Sequence, residues 1–464
     1  MDFSSLTFIL LFLPVLVFVY SLNKSIKYKN LILLIATLLF YYWSEPKQFF
    51  LILVISAIIY GFTWWQSCVD EKKHKWIFLL SLAILVGTLL YFKYIKFAIQ
   101  TTNRIFESNI GFPEVIPPLG ISFYIFQSIG YIVDVYNGKI KAEKNIINMM
   151  LFLMFFPTIS SGPIMRFEQF SENLKNRLFN FDQIAVGLRR FILGLSKKVA
   201  VGNQVALVAD LMFNQDPSNL NFAMAWLGII AYSLQIYFDF SGYTDMAIGI
   251  GQILGFQLPE NFNYPYTAKS NTDFWHRWHM TLSIWFRDYI YIPLGGNRCS
   301  IWRWLLNLLI VWGVTGFWHG ADTTFFLWGL YYAILLIFEK KFLQRVLDQS
   351  PAFMQHIYVI GSFLTGWILF RSNSLHQIYN YLLAMVRIPS YSIMQGLRMM
   401  DILYLLPLFG IAIVGCTPLF KKILMKIEKS RFAWLNDGIY VFLLIVSIVL
   451  CVTSSYKSFI YFNF

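Results

Sequence analysis

His276, His279 and His319 lie within one stretch of this 464-residue chain, from Asn271 to Gly320. That stretch also carries the adjacent pair Arg287–Asp288 and the sequence Gly295-Gly296-Asn297-Arg298. A hydroxyl is a weak nucleophile, and a neutral imidazole with a pKa near neutrality can take its proton. His319, set between Trp318 and Gly320, is therefore the candidate general base for an acceptor hydroxyl. The missing side chain at 320 is expected to let substrate approach closely. On the residues alone a second reading stands beside this one, a core histidine donating to a neighbouring helix. His279 is expected to orient His319, to polarise a carbonyl or to stabilise an oxyanion; its alternative is a structural histidine at an interface. His276 and His279 are spaced i, i+3 and share a helix face, so with His319 they could form a three-histidine metal set. No HExxH signature accompanies them, and no metal is expected.

These groups sit in oily surroundings. Hydrophobic residues make up 58% of the chain and charged residues 13%, with a mean hydropathy of +0.58. A soluble chain carries roughly a quarter charged residues, so the composition excludes that class. The 46 Phe, 27 Tyr and 15 Trp suit lipid contact and interfacial anchoring. The expected fold is an all-α polytopic membrane protein, read as one membrane domain over residues 1–464, in contact with membrane lipids. The net charge of +13 comes from Lys and Arg scattered in short loops, which reads as topology signalling and not as nucleic-acid binding. Cys68, Cys299, Cys416 and Cys451 show neither disulfide nor zinc spacing. The first apolar run lacks a basic leader and a small-residue cleavage site, so it reads as a first span.

A span needs about 20 apolar residues. Candidates are 6–22, 31–43, 49–67, 76–98, 115–136, 184–213, 222–256, 301–318, 321–338, 354–370, 402–420 and 438–456, with a broken segment at 146–165. The expectation is about eleven to thirteen transmembrane or re-entrant helices. Residues 257–300 have no run long enough to span and suit short helices packed inside protein. Lys24, Lys27 and Lys29, then Lys72, Lys73 and Lys75, then Lys139, Lys141 and Lys144 occupy alternate loops. The intervening loops hold Glu45 with Lys47, and Arg104 with Glu107 and Glu114. This alternation places the N-terminus outside and Lys421, Lys422, Lys426, Lys429 and Arg431 inside. A basic face at Arg166, Lys175, Arg177, Arg189, Arg190, Lys197 and Lys198 is expected to lie on anionic lipid, or to help hold an anionic donor.

Charged groups at membrane depth must be paired or wet. Asp239, Tyr243 and Asp245 fall inside an expected span, where helix-to-helix hydrogen bonding is the first reading and tunnel gating the second. Arg287 and Asp288 are expected to pair with neighbours inside the bundle; the alternative puts Arg287 on a donor phosphate. The turn at Asn297 lacks the Gly-Lys-Ser/Thr ending of a phosphate loop and reads as a tight turn on the cytoplasmic side. The histidines at 74, 356 and 376 carry no visible constellation. No GxSxG element is present, so a covalent acyl-enzyme on this chain is not indicated.

Seven fragments in order carry a family resemblance: YFKY at 91–94, PLGISFYIFQSIGYIVDVY at 118–136, FFPTISSGPIMR at 155–166, QIYFDFSGYTDMAIGIG at 235–251, PENFNYPY at 259–266, FWHRWHMTLSIWFRDYIYIPLGGNR at 274–298 and GFWHGA at 316–321. With them the chain resembles the membrane-bound O-acyltransferases, in particular their bacterial alginate and peptidoglycan O-acetyltransferase branch, over roughly residues 90–335. The resemblance implies a helical bundle enclosing a catalytic tunnel. It makes His319, in the WHG element, the catalytic residue and His279 the second family histidine. It further implies acyl transfer from acetyl-coenzyme A as donor, with no bound cofactor, across the bacterial cytoplasmic membrane to an exported polysaccharide. An extracytoplasmic SGNH-hydrolase-like acetyltransferase is the implied partner. D-alanyl transfer to teichoic acid is a close variant, and a transporter or flippase the alternative from another class. Two positions depart from the family pattern: His276 stands where Arg is common, and Phe317 where Leu is common.

Overall fold

A computed structural model describes residues 1–69, 71–111, 115–215, 220–387 and 399–453, without the side chains of 71, 72 and 399–404. Glu114, the Lys72 side chain and the last three residues of the expected 438–456 span lie outside the described residues. In lipid a backbone must satisfy its own hydrogen bonds, so long apolar runs become helices. Among the described residues every regular element is helical. Seven helices are long and apolar enough to cross a membrane: Phe49–Gln66, Lys73–Phe106, Phe181–Phe213, Phe222–Ile253, Ile301–His319, Ala352–Arg371 and Ala433–Thr453. The pair Leu405–Gly415 and Leu419–Glu428 would make an eighth, bent by 74° at the break before Pro418.

The remaining expected segments are also helices, but shorter or more polar. Phe8–Ser21 and Ile146–Ile159 are short apolar helices, Ile26–Ser44 carries Lys27 and Lys29, and Ile121–Tyr136 and Thr323–Phe338 run 16 residues each. Ile121–Tyr136 shows why a full span is unnecessary. All residues from Ile121 to Ile132 are buried in protein, and the Gln127 amide donates to the Phe152 carbonyl at 2.6 Å.

The chain forms two compact units, Met1–Phe191 with Thr244–Glu260, and Ile192–Tyr243 with Asn261–Phe464. In the first, Gly120 opens the buried helix with φ of +71°, and a Cβ there would lie 1.9 Å from the Ile159 carbonyl oxygen. Only glycine suits both demands. In this unit Asp245 and Glu260 both take Arg190, at 2.6 Å each, and Arg177 donates to the Tyr20 hydroxyl at 2.6 Å. In the second unit Lys198 and Asp239 form a fully buried ion pair. The expected basic face is therefore not one lipid-facing surface: Arg177, Arg190 and Lys198 are turned inward to partners, because an unpaired buried charge is far costlier than a paired one.

The second unit is built on a helical hairpin, Ile301–His319 against Thr323–Phe338. Before it, residues 257–300 supply what the sequence suggested, short helices in place of a span: a 3₁₀ turn at Pro265–Thr267, helices Asn271–Arg277 and Met280–Phe286, and a π turn at Arg287–Tyr291.

Candidate active site

The Asn271–Arg277 helix is pinned at its first turn. Ser270 caps it by accepting from the Asp273 N–H at 3.0 Å. Glu339, fully buried at the far end of the Thr323–Phe338 helix, takes the N–H groups of Asn271 at 2.7 Å and Thr272 at 2.9 Å. Its carboxylate also accepts the Thr272 hydroxyl at 2.6 Å and the Tyr358 hydroxyl at 3.2 Å. A carboxylate here satisfies donors that a helix start leaves orphaned and complements the positive end of its dipole. Sequence reasoning passed over Glu339, since a charge followed by Lys340 and Lys341 reads as the edge of a span.

His279 ends the short gap between that helix and Met280–Phe286. Its backbone is left-handed, with φ of +44°, a conformation uncommon for a residue other than glycine. The ring is buried edge-on against Phe240, centroids 4.7 Å apart, and Nδ1 lies 3.1 Å from Oδ1 of Asn261. Burial pushes the imidazole pKa down to about 3, so His279 is neutral at physiological pH. Asn261 comes from the PENFNYPY element, where by sequence it is only one polar residue in a loop.

His319 closes the Ile301–His319 helix inside an aromatic box. Trp318, Trp328 and Phe370 each meet its ring near a right angle, with centroids 4.7, 5.0 and 5.2 Å away. The expectation that Gly320 leaves room for substrate needs correction. A Cβ at 320 would lie 2.2 Å from the Phe325 ring, so the space belongs to Phe325, which packs on Phe370 at 5.0 Å. The glycine completes the box and does not open it.

His276, His279, Arg287 and His319 all line one cavity of about 500 Å³, together with Trp275, Trp278, Trp304, Trp312, Thr315 and Lys340. Its deeper wall is aromatic and carries buried His279 and His319. Exposed His276 and Arg287 add polar and cationic groups, and Lys340 lies over the Trp304 ring at 5.5 Å. Arg287 pairs with its own neighbour, Asp288, at 2.7 Å; its side chain is 58% exposed, so this is not the pairing inside the bundle that was expected. The Gly295–Arg298 segment is a tight turn with both glycines at positive φ, tied down where the Asn307 amide donates to the carbonyls of Leu294 at 3.2 Å and Gly296 at 3.1 Å. Asn297 is exposed in that turn.

The other sequence candidates fall elsewhere. Asp239 is held by Lys198, and Asp245 by Arg190. Tyr243 is buried, and none of the three lines the cavity. Helix-to-helix pairing, the first of the two readings for the aspartates, is what their partners provide. Among the described residues no group of three His, Cys, Asp or Glu side chains is arranged to hold a metal ion.

This architecture can be set beside known proteins. The profile of the MBOAT, membrane-bound O-acyltransferase family, matches residues 140–381, which include the cavity. The chain is 39% identical to a probable alginate O-acetylase AlgI of Pseudomonas putida, over 81% of this chain and 78% of that protein. It is 31% identical to a peptidoglycan O-acetyltransferase of Helicobacter pylori, over 100% of this chain and 97% of that one. With a teichoic acid D-alanyltransferase of Bacillus subtilis it shares 33% identity over 49% of this chain and 61% of that protein. Taken with the helical bundle and the two histidines on one cavity wall, these matches lead to one conclusion: the chain belongs to the MBOAT family and is a multi-pass membrane O-acyltransferase.

Proposed function

We propose that this enzyme takes an acetyl group from acetyl-coenzyme A at the cytoplasmic side of a bacterial membrane and passes it toward an exported cell-envelope polysaccharide. The observation that carries the reading is the shared cavity of about 500 Å³, which buried His279 and His319 line together with exposed Arg287 and Lys340. The two cations suit the diphosphate of a coenzyme A donor. His319 acts as general base for the acceptor hydroxyl, a step that needs its imidazole neutral. His279, also neutral, assists at the carbonyl being attacked. As the hydroxyl oxygen bonds to the carbonyl carbon, its proton passes to His319, and the thiolate of the donor then leaves and recovers a proton.

Extended likeness to proteins named for alginate and peptidoglycan O-acetylation favours acetyl over D-alanyl transfer, since likeness to the teichoic acid D-alanyltransferases covers 49% and 62% of the chain against 81% and 100%. An extracytoplasmic SGNH-hydrolase-like acetyltransferase is the proposed acceptor-side partner, and the N-terminus is proposed to face outward. The test is His319→Ala in membranes supplied with radiolabelled acetyl-coenzyme A. Loss of transfer at normal protein level supports the reading, and unchanged transfer rejects it.

A further inference from the structure

Asn261 is fully buried beside His279, and three donors converge on its side-chain oxygen. The Thr281 backbone N–H reaches Oδ1 at 3.2 Å and the Thr281 hydroxyl at 2.9 Å. A backbone N–H can only donate, so the amide atom facing it is the oxygen and not the nitrogen. That same oxygen lies 3.1 Å from Nδ1 of His279. Nδ1 must then bring the proton, and a neutral ring carries only one, which leaves the lone pair on Nε2. The backbone makes the arrangement rigid. Met280 N–H donates to the Asn261 carbonyl at 2.9 Å, and Leu282 and Ser283 N–H both donate to the His279 carbonyl at 3.1 Å. These bonds hold the left-handed turn, while Phe240 stands edge-on against the ring.

We infer that Asn261 is a positioning residue of the acyl-transfer reaction: it holds His279 in one orientation and in the Nδ1–H tautomer, so that Nε2 is the nitrogen able to accept a hydrogen bond or a proton. The inference rests on the reading of His279 as a working group. Capping the Met280–Phe286 helix alone would be a structural job, and Thr281 already accounts for it; the third donor, from the ring, is what ties the amide to chemistry. Titratable groups that line the cavity with this ring are His276, Arg287, His319 and Lys340, and Asp239, paired with Lys198 from another helix, lies on the helix that carries Phe240.

The decisive variants are Asn261→Asp and Asn261→Ala, assayed in the full-length protein with acetyl-coenzyme A. Asn261→Asp keeps the acceptor but places a carboxylate against Nδ1–H, which favours the imidazolium. The ratio of its rate to the parent rate is expected to fall about tenfold per pH unit below a raised histidine pKa, since the lone pair on Nε2 is then lost; taking the ratio cancels acid limbs that both proteins share. Asn261→Ala frees the tautomer and is expected to lower kcat at least tenfold with donor KM within twofold. A flat Asp-to-parent ratio between pH 5 and 8, or an unchanged kcat in Asn261→Ala, overturns the inference. Should Asn261→Ala not accumulate as folded protein, the Asp ratio decides alone. His279→Ala separates the two levels: full activity there overturns the functional reading and this inference together. A crippled His279→Ala with a flat Asp ratio overturns this inference only.

Discussion

A Cβ on Gly329 would lie 2.3 Å from the Trp312 carbonyl oxygen, and one on Gly316 would lie 2.4 Å from the Phe325 carbonyl oxygen. The two helices of the hairpin therefore touch backbone to backbone at these glycines, which brings His319 and Trp312 to a common cavity wall. Gly329→Ala is expected to push the helices apart and to destabilise the protein by about 1–3 kcal/mol, with transfer activity falling alongside. Gly361→Ala is the control, because its Cβ would meet nothing within 4 Å, and it should leave the melting midpoint unchanged or raised. Thermal unfolding in detergent reads both.

Glu339 concerns a different joint. Glu339→Ala would orphan the buried N–H group of Asn271, at about 1–3 kcal/mol, and the part-buried N–H group of Thr272, at a smaller cost because water can reach it. Glu339→Gln retains one acceptor oxygen and is expected to lose less. Melting midpoints should rank parent, Gln, Ala from high to low, and a rank with Ala above Gln would contradict the assigned contacts.

His319→Ala is expected to lower kcat by roughly 10²- to 10⁴-fold, the usual span for removing a general base. His279→Ala should cost a smaller factor, as befits a group that assists at the carbonyl. Single-turnover transfer from labelled acetyl-coenzyme A measures both, and equal losses would raise His279 to an equal partner.

The buried neutrality of His279 has a pH signature in stability. Its folded pKa of about 3 lies below the ordinary 6.5, so below pH 6.5 the unfolded chain binds a proton that the folded one refuses. Stability contributed by this group is thus complete above pH 6.5 and is lost as the pH falls toward 3. From pH 7 to 5 the expected loss is about 2 kcal/mol. His279→Gln, which carries no titrating ring, should show a correspondingly shallower drop in melting midpoint over that interval.

Arg287 and Lys340 are expected to act on donor binding and not on the chemical step. Arg287→Ala and Lys340→Ala should each raise the KM for acetyl-coenzyme A several-fold with kcat within about twofold, and the effect should weaken at high ionic strength. A fall in kcat at unchanged KM would place these cations nearer the reacting carbonyl.

Much of this protein is legible in its sequence. Apolar runs of about 20 residues allow one backbone solution in lipid, so the all-helical class and most helix positions followed from composition. Residues 257–300 could be set apart as non-spanning because their polar and aromatic spacing fits no lipid-facing helix. Histidines in an oily chain stand out as groups able to move a proton, and family membership decides for an enzyme over a transporter. Asp239 and Asp245 illustrate the limit. Helix-to-helix pairing is the first reading for both and tunnel gating the second, and only their ion pairs with Lys198 and Arg190 decide between the two.

Residue types along the chain set the solvent of each segment and the groups able to move a proton. Which of those groups meet depends on how distant segments pack. Asn261 reaches His279 across 18 positions and Glu339 reaches Thr272 across 67, and no local periodicity encodes such distances. Gly320 makes the same point at short range: its lack of a side chain was plain in the sequence, but that a Phe325 ring and not a substrate fills the gap depends on how one helix turns back on another. Hydrophobicity is additive along a chain, whereas a site depends on contacts between segments that the chain alone leaves far apart.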